Sequence, residues 1–253
     1  YPVQICYIYG FDYAGQRKWR NYDWSTDRDS DRFLNKPENN MADSRADRCA
    51  IGDDGKLYVT FQVAGGNHIF RYSAKDIMKK VEIVGGDKHH QFYNSRAEHK
   101  NFFARYEPAT GEYLTGQQFC GRLGNNRANA VVTKSGDITA DAEGRVYLVG
   151  TAGYGLPITM NPDGDDYTGG GFILIMSADL KDRILCTRLR GGKGSPHAVD
   201  ARQVSGRTVA VFGGGDMTPG MFTKEALQAT AADEPAQKAD PKDGWFAVVA
   251  EAD

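Results

Sequence analysis

The sequence predicts an all-β fold, a β-propeller of four-stranded antiparallel blades, on three observations. Glycine is over-used, at 30 of 253 residues or about 12%, where roughly 7% is usual. A unit of turn, glycine and strand recurs along the chain. Amphipathic helices are scarce, which argues against the alternating strand and helix order of a doubly wound nucleotide-binding sheet. Aromatic side chains at 11% set the chain apart from disordered glycine-rich sequences.

The first copy of the unit is Asp53-Asp54-Gly55-Lys56-Leu57-Tyr58-Val59-Thr60, and the second is Ala142-Glu143-Gly144-Arg145-Val146-Tyr147-Leu148-Val149. A weaker third is Val204-Ser205-Gly206-Arg207-Thr208-Val209-Ala210-Val211. In each, a glycine among polar neighbours feeds a run of β-branched or aromatic residues, as a hairpin requires. A second kind of unit is an aromatic-led apolar run, a polar turn and another strand. Its clearest copy is Phe172-Ile173-Leu174-Ile175-Met176, continuing into Ile184-Leu185-Cys186. Others begin at Ile5, His68, Phe102 and Trp245, with turn residues at 12–15 and 108–111.

Residues 74–81 and 223–230 are each long enough for two helical turns, and 229–243 reads as a solvated excursion. Radial repetition of such sheets is a propeller. It gives one domain over 1–253, with blade-like repeats near 1–44, 45–95, 96–190 and 191–253. Blades of about 40 to 50 residues make Gly55 to Gly144 two units, and Gly144 to Gly206 one unit with an insertion. The chain is short for six or seven blades, so a partial or C-terminal portion of a ring is expected, with a ring of four or five as the rival. It opens at Tyr1-Pro2 without an initiator Met or a leader pattern, which implies a removed leader or a piece of a longer polypeptide, and Ile5 to Tyr9 reads as the third strand of a blade.

The run Asp141-Ala142-Glu143-Gly144-Arg145-Val146-Tyr147-Leu148-Val149-Gly150-Thr151, then Gly171-Phe172-Ile173-Leu174, then Thr187-Arg188-Leu189-Arg190-Gly191-Gly192, resembles the bacterial SBBP-type β-propeller repeat. That repeat reads aspartate-x-x-glycine-x-x-tyrosine-valine-x-glycine-threonine, then a phenylalanine-led strand, then a threonine-x-leucine-glycine-glycine end. The match is good over 130–192, partial over 48–86 and 197–249, and thin before residue 43. The resemblance implies an extracellular, cell-surface or periplasmic propeller of unassigned activity, and it supplies no catalytic residues.

Lys plus Arg number 31 and Asp plus Glu 33, a net charge of −2, which removes the electrostatic argument for nucleic acid or an anionic membrane as main partner. No apolar run approaches the ~20 residues of a membrane helix. Cys6, Cys49, Cys120 and Cys186 form no C-x-x-C, which argues against a zinc ribbon, a thioredoxin-type site or covalent haem. Two disulfides or four free thiols fit their number equally. No G-x-S-x-G, H-E-x-x-H or P-loop is present.

Asp27, Asp29, Asp31, Asn35 and Glu38 place oxygens at positions 1, 3, 5, 9 and 12 of a calcium-loop spacing. Arg32 stands where that loop needs glycine, so an acidic surface loop competes with calcium. Asp163 and Asp165 form a weaker second candidate in an acidic turn. His89, His90 and His99 cluster, and read as polar surface before a transition-metal site, since adjacent histidines point to opposite sides of an extended chain. His197 is expected on a strand entering the channel side of a blade and hydrogen-bonded there, rather than paired with Ser195 as a nucleophile's base. Tyr7, Tyr9, Phe11 and Tyr13 alternate like a strand packed between blades, with a sugar or protein docking face as the alternative.

Together these imply a non-catalytic exported binding or structural module, for a protein or glycan surface partner or for self-assembly, with no membrane insertion. One alternative is a carbohydrate-active lyase or hydrolase using His197, His99 and loop carboxylates. Another is an accessory subunit whose incomplete blade is completed by another chain.

Overall fold

Three hairpin turns set the frame. Gly55, Gly144 and Gly206 adopt φ of +74°, +80° and +80°, a region that a side chain makes costly. Each repeated turn falls in the same place, between the first and second strands of a sheet. The computed structural model describes residues 3–24, 28–36, 39–90, 99–160, 166–188, 195–215 and 245–250.

The strands are β1 (Ile8–Phe11), β2 (Arg17–Asn21), β3 (Ser44–Ile51), β4 (Leu57–Val63), β5 (Lys100–Tyr106), β6 (Tyr113–Phe119), β7 (Gly121–Arg122) and β8 (Ala128–Asn129). They continue with β9 (Val131–Ala140), β10 (Val146–Gly153), β11 (Gly169–Met176), β12 (Arg183–Arg188), β13 (Ser195–Val204), β14 (Arg207–Gly215) and β15 (Trp245–Ala250). The fold is all-β and antiparallel. Strands β3 to β6 make one four-stranded meander, β9 to β12 a second, and β13 to β15 a three-stranded third, while β1–β2 and β7–β8 are two-stranded.

The sheets stack in chain order. Strand β9, the first of its sheet, lies against β3 and β13, the first strands of the sheets on either side. Alternate residues of one strand therefore enter different cores. Phe172, Leu174 and Met176 pack toward the first sheet, with Tyr58, Phe103 and Phe119. Ile173 and Ile175 pack toward the third, with Val199, Ala201, Ala210, Phe212 and Trp245. That double burial is why β11 reads as an unbroken apolar run. The other face of the first sheet, Val59, Phe61, Val63 and Phe102, packs on Tyr22, Phe33, Ile69 and Phe70. Arg105 on β5 crosses to the second sheet, donating to the carbonyls of Gly144 at 2.6 Å and Ala178 at 3.0 Å.

Several sequence expectations are corrected. The division expected near 95/96 falls inside the first sheet, because β4 and β5 pair from Leu57↔Tyr106 to Val63↔Lys100. Gly55 to Gly144 is thus one sheet with a long excursion between its second and third strands. Within that excursion the run at His68 is no strand: Ile69–Arg71 is a 3₁₀ turn with Ile69 and Phe70 buried. Residues 74–81 do not form a helix either. The Ser73 hydroxyl accepts from Lys75 N, and the Asp76 carboxylate from Met78 N, offering the backbone turns in place of a helical ladder.

Conversely, Arg28–Leu34, expected as loop, is a short helix, α1. Phe33 is fully buried there, edge-on to Tyr72 at 5.0 Å, so tertiary packing holds a helix too short to announce itself by periodicity. The four cysteines are free thiols, Cys49 exposed and the others buried. Residues 223–230 and 229–243 lie outside the described residues. No described helix is long and apolar enough to cross a membrane. The sheets described do not close into a ring.

Candidate functional site

Each first strand carries one irregularity in its pairing with the second. In β3 the register shifts between Ala46 and Arg48, leaving Asp47 unpaired. In β9 the partners jump from Asp137 to Val132, and in β13 the shift between Pro196 and Ala198 leaves His197 out. Bulges bend a strand and re-aim its side chains, which is why they gather beside functional sites. Here the three meet. Arg48 Nε donates to the Gly136 carbonyl at 2.9 Å, and His197 Nδ1 is 2.7 Å from the Ser135 carbonyl. Thr133 Oγ1 is 3.0 Å from Asp47 Oδ2.

Local chemistry explains the geometry. A Cβ on Gly136 would stand 1.9 Å from the Val149 carbonyl oxygen, so only glycine lets the strand bulge inward there. The Thr133 hydroxyl also lies 3.1 Å from Thr60 Oγ1 and accepts from Asn101 Nδ2 at 2.9 Å. With one proton to give, it donates to Asp47 and accepts from the other two. Partial burial raises the Asp47 pKa above the usual carboxylate range, opposed by the Thr133 hydrogen bond and by the charges of Arg48, Lys134 and Arg45. Asp137 Oδ2 accepts from Val199 N at 3.2 Å, fastening β13 to β9.

The resulting row is polar, with Arg45, Arg48, Lys134 and His197 exposed and Asp47 half-buried. Because His197 Nδ1 faces a carbonyl it carries the proton, and in the neutral ring Nε2 is left as an acceptor for a ligand. The row can therefore bind a polar partner through guanidinium, carboxylate and imidazole groups. His197 does lie on a strand, β13, and its ring is hydrogen-bonded there, to the Ser135 carbonyl. Asp47, Thr133 and Gly136 were missed, although a glycine among polar residues inside a strand signals a bulge. A groove of about 430 Å³ lies elsewhere, between Lys75, Lys79 and the β5–β6 turn at Glu112.

The aspartate-x-x-glycine-x-x-tyrosine spacing has a structural use. Asp141 is fully buried. Its Oδ1 accepts from the backbone of Glu143 and Arg145, and its Oδ2 from Arg145 Nε at 2.6 Å and the Tyr147 hydroxyl at 2.9 Å. The first sheet reaches a similar end differently, with the Tyr58 hydroxyl donating to Asp54 Oδ2 at 2.7 Å.

A second charged cluster joins the first two sheets. Arg183 pairs with Asp87, and Lys100 is buried at the start of β5. Desolvation lowers the Lys100 pKa to about 7. His89 is buried against the Cys120 carbonyl at 3.2 Å, and the His90 ring fills the space a Gly85 side chain would need. Burial lowers both histidines' pKa values. These two histidines are packing groups rather than polar surface.

Of the calcium candidates, Asp27, Glu38, Asp163 and Asp165 lie outside the described residues. Asp29 and Asp31 fall in α1, where two residues turn the chain about 200° around the axis. Asp31 and Asn35 are exposed, with Asn35 N bonded to the Asp31 carbonyl at 2.9 Å. Among the described residues no three His, Cys, Asp or Glu side chains group as metal ligands do.

The aromatic stripe is a correction too. Tyr7 and Phe11 are 60% and 59% exposed, on the outer face of the β1–β2 hairpin. Period two fixed their common side but not what covers it. Tyr22 and Trp24 do pack inward, edge-on to one another at 5.6 Å.

No protein-family model matches the chain, and no curated protein is similar to it.

Proposed function

We propose that the chain is an arc of propeller blades, of the exported SBBP-like kind, acting as a non-catalytic binding and structural module. Meanders in chain order, first strands side by side and one repeated turn position support the blade reading. The observation that carries the binding role is the meeting of three first-strand bulges, which gathers Asp47, Arg48, Lys134 and His197 into one polar row. A protein or glycan surface docks on that row, with Arg48 and His197 already held in place by backbone carbonyls.

The test is a glycan and peptide array probed with the purified chain. Arg48→Ala with His197→Ala is expected to weaken the captured ligand at least tenfold, about 1.4 kcal/mol, while leaving the melting temperature unchanged. Turnover of a polysaccharide that disappears in His197→Ala would overturn the module in favour of an enzyme.

A further inference from the structure

We propose that a second copy of the chain docks head to tail on the first, the outer face of its β1–β2 hairpin covering the outer face of sheet β13–β15. The inference rests on the blade-stack reading above and names one partner for the module.

Counted from the turn glycine, Tyr58, Tyr147 and Val209 are equivalent, as are Thr60, Val149 and Val211. Their third-strand partners, Phe103, Ile173 and Val248, are equivalent as well. In the first sheet this face is sealed by the second, with Tyr58, Thr60 and Phe103 at 1%, 0% and 1% exposure. In the second it is sealed by the third, with Tyr147, Val149 and Ile173 at 4%, 0% and 5%. In the third, Val209 is half-buried but Val211 is 40% exposed and Val248 56%, beside Phe246 at 67%. A surface that twice accepts a following β layer is presented a third time with no such layer on it among the described residues.

The other end of the stack offers the matching layer. Strands β1 and β2 lie on the far side of the first sheet, Ile8 packing inward and Trp19 Nε1 donating to the Pro108 carbonyl at 2.9 Å. Their outer side carries Tyr7, Tyr9 and Phe11 in one line, Tyr7 stacked on Tyr9 at 4.9 Å and the Arg17 guanidinium 5.2 Å from the Tyr9 ring centre. An aromatic ridge and an aliphatic face of equivalent register are thus both left open by the described residues, at opposite ends of the stack. Exposed apolar patches of this kind mark interaction sites. Because the two faces differ, the contact is heterologous, and it closes into a ring or propagates.

The test is sedimentation over a wide concentration series for the wild type, Phe11→Asp and Phe246→Asp. Both side chains are exposed, so each variant keeps its fold, checked by near-ultraviolet circular dichroism. The wild type is expected to associate and each variant alone to be monomeric. An equimolar mixture of the variants should form a 1:1 dimer and stop, since it retains one intact pair of faces. A variant that still associates alone, or a mixture that stays monomeric, would overturn the head-to-tail contact. Ligand binding at Arg48 and His197 is read on the same samples. A monomeric wild type that binds its ligand overturns this contact alone, and one that neither binds nor associates overturns the module as well.

Discussion

Asp141 carries four hydrogen bonds while fully buried, two from backbone amides and two from the side chains of Arg145 and Tyr147. Removing the acceptor takes a buried partner from all four donors, whereas removing the Tyr147 hydroxyl removes only its own bond to Asp141. Asp141→Ala should therefore lower stability by about 2 to 4 kcal/mol and Tyr147→Phe by about 1 kcal/mol, read as urea midpoints at constant slope. Lys100 gives a pH signature. Its ammonium is held down to about 7 in the fold against an ordinary 10.5. Between those values the unfolded chain binds the extra proton, so this group makes stability rise with pH. Urea midpoints from pH 7 to pH 9 should climb for the wild type relative to Lys100→Met. A Lys100→Met variant with the same slope would show that the lysine is not the source. Lys100 was illegible in the sequence because a lysine at the start of a strand looks like a boundary residue. Its burial comes from neighbours distant in the chain.

Among the elements, legibility followed the local or non-local origin of each constraint. The three glycine turns were readable because φ above zero is written into a residue type, and the strands after them because alternation is local. The sheet boundary near 95 was not readable, since β4 pairs with β5 across a long excursion that resembles a unit of its own. Helix α1 was hidden because packing of Phe33, and not periodicity, stabilises it. Phe33→Ala should cost about 3 to 5 kcal/mol, measured by thermal or urea unfolding, and a change below 1 kcal/mol would mean that the helix is not anchored there. Gly136→Ala tests the bulge of β9. The added carbon meets the Val149 carbonyl, so the strand must straighten or part, and the row should lose ligand along with stability.

In the molecule as a whole, the stack explains both what it buries and what it leaves open. Two inter-sheet cores form from opposite faces of the central sheet, and the polar first strands are brought together along one side. The strand placement of His197 was legible because the residues after it, Ala198-Val199, begin a β-rich run, which is a local signal. The convergence of Asp47, Thr133 and His197 was not, because three bulges in three sheets must be placed in space before their side chains meet.

That convergence is the central claim, and one distance tests it. Cys49 is the exposed native thiol and lies on β3, while His197 lies on β13 with β9 between them. Spin labels on Cys49 and on His197→Cys should give a narrow pulsed dipolar distribution centred at about 20 Å, two inter-sheet spacings of ~10 Å. A broad distribution, or one centred beyond about twice that distance, would mean that the three first strands do not share a side and that no common row exists.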